Sequence, residues 1–135
     1  MTSKSLILIA DGDSAWVESI ARLLETEGYR VLAARNGVDA LYQTRMRRPD
    51  LLLLNPDLPQ LSGWEVCRLV QRLPGDDRTK VAMLTLQGDA AYRAGADGYL
   101  VKGGKVEPTL PPIRVFRHPA QGILAEFLHR RAMAA

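Results

Sequence analysis

Short apolar runs alternate with amphipathic stretches along residues 5–102. Leu6–Ala10 is an unbroken apolar run of strand length, closed by Asp11, Gly12 and Asp13. Trp16, Val17, Ile20, Ala21 and Leu24 then recur at helical spacing, and Gly28 ends that helix. Residues 29–34 read as a second strand. Val38, Leu41 and Tyr42 mark a second helix, stopped before Pro49. Leu51–Leu54 places four leucines in a row, which suits a strand covered on both faces. Val66, Leu69, Val70 and Leu73 follow the i, i+3, i+4, i+7 pattern of a third helix, closed by Pro74 and Gly75. Residues 81–85 and 98–101 read as a fourth and a fifth strand, with a short, weakly patterned element at 89–94 between them.

This alternation predicts an α/β fold, an open parallel sheet with helices on both faces. In such sheets, sites form outside the carboxyl ends of the strands, where the strand order reverses. The loops after the first and third strands hold Asp11, Gly12, Asp13 and Asn55, Pro56, Asp57, and chemistry is expected there. After Lys102 the pattern changes. Residues 103–118 form a Gly- and Pro-containing linker, and residues 119–135 an amphipathic helix opened by Pro119, with Ile123, Leu124, Phe127 and Leu128 on one face.

Composition narrows the class. The chain is 47% hydrophobic, enough for a core, and its net charge of +3 is too modest for a dedicated nucleic-acid binder. Cys67 is the single cysteine, so an internal disulfide scaffold is excluded. The apolar run at the start is too short for a signal peptide or a membrane span. A cytoplasmic protein without a membrane association is expected. His118 and His129 have no ligand-like companions, so no metal site is expected there.

The residues also carry a family resemblance. Asp11-Gly12-Asp13 resembles the acidic metal-binding loop of response-regulator receiver domains. The run from Leu51 to Gly63 resembles their phosphorylation loop, in which the acceptor stands four residues before a proline and eight before a glycine. Pro59 and Gly63 place that position at Asn55. Trp64 to Arg68 resembles the opening of the third helix, Met83-Leu84-Thr85 the strand end with a switch hydroxyl, and Gly95 to Lys102 the strand with a switch aromatic, Tyr99, and a phosphate-pairing lysine, Lys102. The resemblance implies a flavodoxin-like sheet of order 2-1-3-4-5 and covers about residues 5–102.

It also implies chemistry that these residues do not supply. The family's reaction needs a carboxylate that attacks a phosphoryl group beside magnesium, and Asn55 offers a neutral amide. Gly12 stands where the second acid of the pair belongs, which leaves Asp11 as the matched carboxylate. Conversion of Asn55 to aspartate is disfavoured, because the ring closure uses the next backbone N–H and Pro56 has none. The expectation is a degenerate receiver, without enzymatic activity, metal or cofactor, acting through a protein partner independently of phosphorylation. Alternatives stand beside it. Asp57 or Asp13 would replace the acceptor or rescue the metal, against both being solvated loop acids with Asp13 capping the first helix. Lys102 pairs with Asp11 or stays hydrated, and Thr85 is an ordinary strand-end hydroxyl. Tyr99 is a rotatable surface aromatic or simply packs.

The output region departs from the family as well. Nine residues, 86–94, separate Thr85 from Gly95, which shortens the fourth helix to about two turns. The C-terminal helix is expected to return as a displaced fifth helix or to dock on another molecule as a homodimer element. The arginines near its ends, Arg114, Arg117, Arg130 and Arg131, are a candidate nucleic-acid contact or, as favoured here, a solvated face. The residues after 102 are too few for a winged-helix output domain.

Overall fold

The computed structural model describes residues 5–74 and 79–100. Among them, five strands and four helices alternate: β1 Leu6–Ala10, α1 Ser14–Thr26, β2 Arg30–Ala34, α2 Gly37–Arg47, β3 Leu51–Leu54, α3 Gly63–Gln71, β4 Lys80–Leu84, α4 Gly88–Arg93 and β5 Gly98–Leu100. The strands form one parallel sheet in the order β2-β1-β3-β4-β5. This is the expected fold, and the strand order reverses between β1 and β3.

The apolar runs work because successive residues of a strand face opposite sides. Leu52 and Leu54 join Leu8, Ala10, Val81 and Met83 on one face, packed against Ala40 of α2, Val66 and Val70 of α3 and Ala91 of α4. Leu51 and Leu53 join Ile7, Ile9 and Ala82 on the other face, against Val17, Ile20 and Leu24 of α1. All four leucines of β3 are therefore buried, at most 2% exposed. Cys67 lies fully buried in the first cluster, as a core residue.

Helix ends follow their local chemistry. Asp13, Asn36 and Ser62 cap α1, α2 and α3, each side chain accepting a backbone N–H three residues on. Gly28 has φ +96°, and beside it Tyr29 N donates to Leu24 O at 3.0 Å and Gly28 N to Glu25 O at 3.0 Å. That pair of bonds is a Schellman stop, and it needs a residue that tolerates a left-handed backbone. The six-residue α4 has the shortness expected of the fourth helix.

The expected second helix forms as α2. Of the residues that mark it, Leu41 packs against the core, whereas Val38 is 52% and Tyr42 61% exposed; Gly37, Ala40 and Thr44 are buried. The helix turns its small residues inward because the Leu61 loop and α3 come close. A Cβ on Gly37 would collide with the Leu61 backbone. The third helix ends at Gln71, so Leu73 belongs to the turn after it.

Candidate functional site

The loops after β1 and β3 meet at the carboxyl edge of the sheet. Asp11 follows β1, its N–H bound to Ala34 O of β2 at 3.0 Å, and its residue is 2% exposed. Asn55 follows β3, its N–H bound to Ala10 O at 2.9 Å. Parallel pairing thus brings together two side chains that lie 44 positions apart. Asp11 Oδ1 accepts the Asp13 N–H at 2.8 Å, and Asp11 Oδ2 accepts from Asn55 Nδ2 at 3.1 Å.

On its other side Asn55 Oδ1 accepts the Asp57 N–H at 2.9 Å. These two bonds fix the orientation of the amide. The oxygen is needed by a backbone donor, so the NH₂ faces the buried carboxylate; the reverse would set N–H against N–H and oxygen against oxygen. A carboxylate at this position satisfies Asp57 but opposes Asp11.

The rest of the loop is held by backbone. Gly63 N donates to Pro56 O at 2.9 Å, Gly37 N to Pro59 O at 3.1 Å, and Leu61 N to Pro59 O at 2.8 Å. The last of these spans a γ-turn centred on Gln60, which has φ +71°. A Cβ on Gly63 would strike the Asn55 carbonyl and Pro56 Cα, so the first residue of α3 must be glycine for the helix to lie against the strand end.

The other expected site residues are placed as follows. Asp13 Oδ1 accepts the Trp16 N–H at 3.1 Å and caps α1. Asp57 is exposed. Thr85 directly follows β4, and its hydroxyl accepts the Gln87 N–H at 3.0 Å at the entry to α4. Tyr99 is 3% exposed, so here it packs and does not present its ring to solvent. Lys102, the 103–118 linker and the 119–135 helix lie outside the described residues.

Two partners of Tyr99 were not singled out from sequence. Its ring meets Tyr92 edge to face, centroids 6.1 Å apart, and lies over Gly88, where a Cβ would press on the tyrosine ring. The glycine opening a weakly patterned helix was the available signal. The Tyr92 hydroxyl is buried and has no hydrogen-bond partner among the described residues. Burial raises its pKa above the ordinary value of 10.0, and neighbouring Tyr99 adds to the shift. A raised pKa favours the folded state while the phenol is neutral, and that contribution is lost as pH climbs past 10 through the folded value. Tyr92→Phe is therefore expected to keep or raise stability at neutral pH, by up to about 1 kcal/mol. It should also lose less stability than the native chain above pH 10. Urea unfolding at both pH values checks this; a clear loss at neutral pH would mean that the hydroxyl is bonded.

The residues do not fit a magnesium site as they stand. Magnesium takes oxygen ligands in strict octahedral geometry. Asn55 turns its NH₂ toward Asp11, Asp13 uses Oδ1 on a helix cap, and no three acidic, cysteine or histidine side chains are placed to hold a metal ion among the described residues.

The comparison with protein families decides the class: residues 7–109 match the response regulator receiver domain. The chain belongs to that family. Receiver-domain relatives include the response regulator MprA of Mycobacterium leprae (strain TN), 42% identical over 113 residues, covering 80% of this chain and 49% of the relative. MprA of Mycobacterium tuberculosis (strain CDC 1551 / Oshkosh) is 41% identical over 113 residues, covering 80% and 48%. The chain thus spans about half the length of these curated relatives. Among solved structures, a CheY-like response regulator receiver domain protein from Methanospirillum hungatei JF-1 superposes with a TM-score of 0.77 at 26% identity, covering 98% of this chain and 100% of that one. The receiver domain of sensor histidine kinase PA1611 from Pseudomonas aeruginosa PAO1 superposes with a TM-score of 0.76 at 26% identity, covering 94% and 99%. That structure has a magnesium ion coordinated in its active-site cleft.

Proposed function

We propose that this receiver domain is of the degenerate type and signals by binding a protein partner, without taking a phosphoryl group at residue 55. The observation that carries the reading is the Asn55 amide, bonded to the buried Asp11 carboxylate on one side and to the Asp57 N–H on the other. An amide nitrogen has its lone pair delocalised into the carbonyl and does not attack phosphorus as a carboxylate oxygen does. The same NH₂ satisfies Asp11, the task a cation performs between acidic side chains.

The spare acids do not take over in this reading. Asp13 is a helix cap, and Asp57 lies in an exposed turn three residues beyond the end of β3. Thr85 and Tyr99 stand at switch-like positions without a phosphate to drive them, and Lys102 matches the family's lysine in sequence. The receiver core spans residues 1–102. Residues 103–118 link it to the 119–135 helix, a displaced fifth helix or a dimerisation element. The domain binds and does not catalyse, and its place is the cytoplasm.

The test is intact-protein mass spectrometry after incubation with acetyl phosphate and magnesium, with Asn55→Asp treated alongside. The native chain is expected to keep its mass, and the variant to gain about 80 daltons, one phosphoryl group. A phosphoryl group on the native chain, mapped to Asp57 or Asp13, would overturn the reading. So would peptide mapping that finds residue 55 already deamidated.

A further inference from the structure

The solvent side of α2 is unusual in what it exposes. Val38, Tyr42 and Met46 are 52%, 61% and 64% exposed and stand at i, i+4, i+8, so they form one stripe along the helix. Single exposed apolar residues are ordinary; three aligned over the length of a helix are a patch. The stripe runs into a cavity of about 210 Å³ at the amino edge of the sheet, the end opposite Asn55. Met46, Val70 and Leu73 give the cavity apolar wall, and Arg45 and Arg48 stand at it.

Charge specifies the occupant. Arg35, Arg45, Arg47 and Arg48 are all exposed, and none has an ion pair or side-chain hydrogen bond with a described residue. The acid on this helix, Asp39, is already engaged: its Oδ2 accepts from Gln43 Nε2 at 2.9 Å. An apolar seam edged by uncompensated arginines is complementary to a helix with an apolar face flanked by carboxylates.

We propose that α2 is the docking site of an acidic amphipathic helix from a partner protein, its apolar residues laid along Val38, Tyr42 and Met46, one anchor in the cavity, and its carboxylates on Arg45 and Arg48. A nucleic acid is the poorer match, because the phosphate backbone has no use for the stripe. The inference extends the reading of the chain as a binding module, and it is read out separately from the chemistry at residue 55.

The experiment is a ¹⁵N–¹H NMR titration of the full chain with a synthetic helical peptide carrying leucine at i, i+3, i+4 and i+7 and glutamate elsewhere. A lysine-for-glutamate peptide and a duplex DNA serve as comparisons. The glutamate peptide is expected to shift the amides of residues 38–48 and 70–73. The Arg45→Glu, Arg48→Glu double variant should weaken binding at least about ten-fold, and Tyr42→Ser should weaken it while leaving the rest of the spectrum in place. The inference is overturned by no shift on α2 at about 1 mM peptide, by shifts centred elsewhere, by equal binding of the lysine peptide, or by DNA displacing the peptide from α2.

Discussion

Asn55→Asp is expected to unfold at a lower temperature than the native chain in metal-free buffer, and magnesium should restore part of the difference in the variant alone. The native amide donates to a carboxylate that is 2% exposed. Removing a hydrogen bond to a charged group costs about 1.5–3 kcal/mol. The new carboxylate adds repulsion at the site where the donor stood, which brings the loss to about 2–4 kcal/mol. For a domain of this size that is a fall on the order of 10 °C. A divalent cation then finds two facing carboxylates and offsets their repulsion. Asn55→Ala separates the contributions: it removes the donor without adding charge, so it loses stability but gains nothing from magnesium. Thermal melts with chelator and with millimolar magnesium decide the matter. A variant as stable as the native chain without metal would show that the Asn55–Asp11 bond contributes nothing.

Gly63→Ala is expected to destabilise the chain although alanine is the better helix former. Propensity alone predicts a gain of about 1 kcal/mol, because glycine is the costlier residue in a helix. Packing predicts the reverse. The added methyl meets the Asn55 carbonyl oxygen and Pro56 Cα, both backbone atoms that no rotamer change can move aside. Overpacking of this kind costs about 1–3 kcal/mol and sometimes more, so after the propensity gain the net loss should be up to about 2 kcal/mol. The start of α3 must draw back from the strand end, so the 2.9 Å bond from Gly63 N to Pro56 O and the Asn55–Asp57 turn should loosen together. Urea unfolding gives the sign, and amide chemical shifts of residues 55–57 give the location. A stabilised variant with an unchanged spectrum at those residues would mean that the loop yields easily and that the contact carries no constraint.

The two expectations differ in how visible they were in the chain. The acceptor position was legible, because the spacing of Pro59 and Gly63 locates it and the residue there is an amide. The partner of that amide was not. Which of Asp11, Asp13 and Asp57 faces Asn55 depends on the directions of two loop backbones, and those are set by the pairing of Ala10 with Leu54 across the sheet. Asp13 is two residues from Asp11 and still points away, into the first turn of α1.

The parallel sheet, the burial of both faces of β3 and the shortness of α4 were determined by the sequence itself, and the strand order by the family resemblance. Apolar runs of strand length, with caps and turn residues between them, have one economical parallel arrangement once a family resemblance supplies the order. The tertiary structure decided the rest. It decided which face of α2 is inside, because Gly37 and Ala40 let the Leu61 loop and α3 approach more closely than Val38 and Tyr42 would allow. It decided that Tyr99 packs inward, because Gly88 leaves room for its ring. Hydrophobicity ranks residues by what they gain from burial, but close approach is granted by small ones, and which neighbours will come close is written in parts of the chain far from the helix being read.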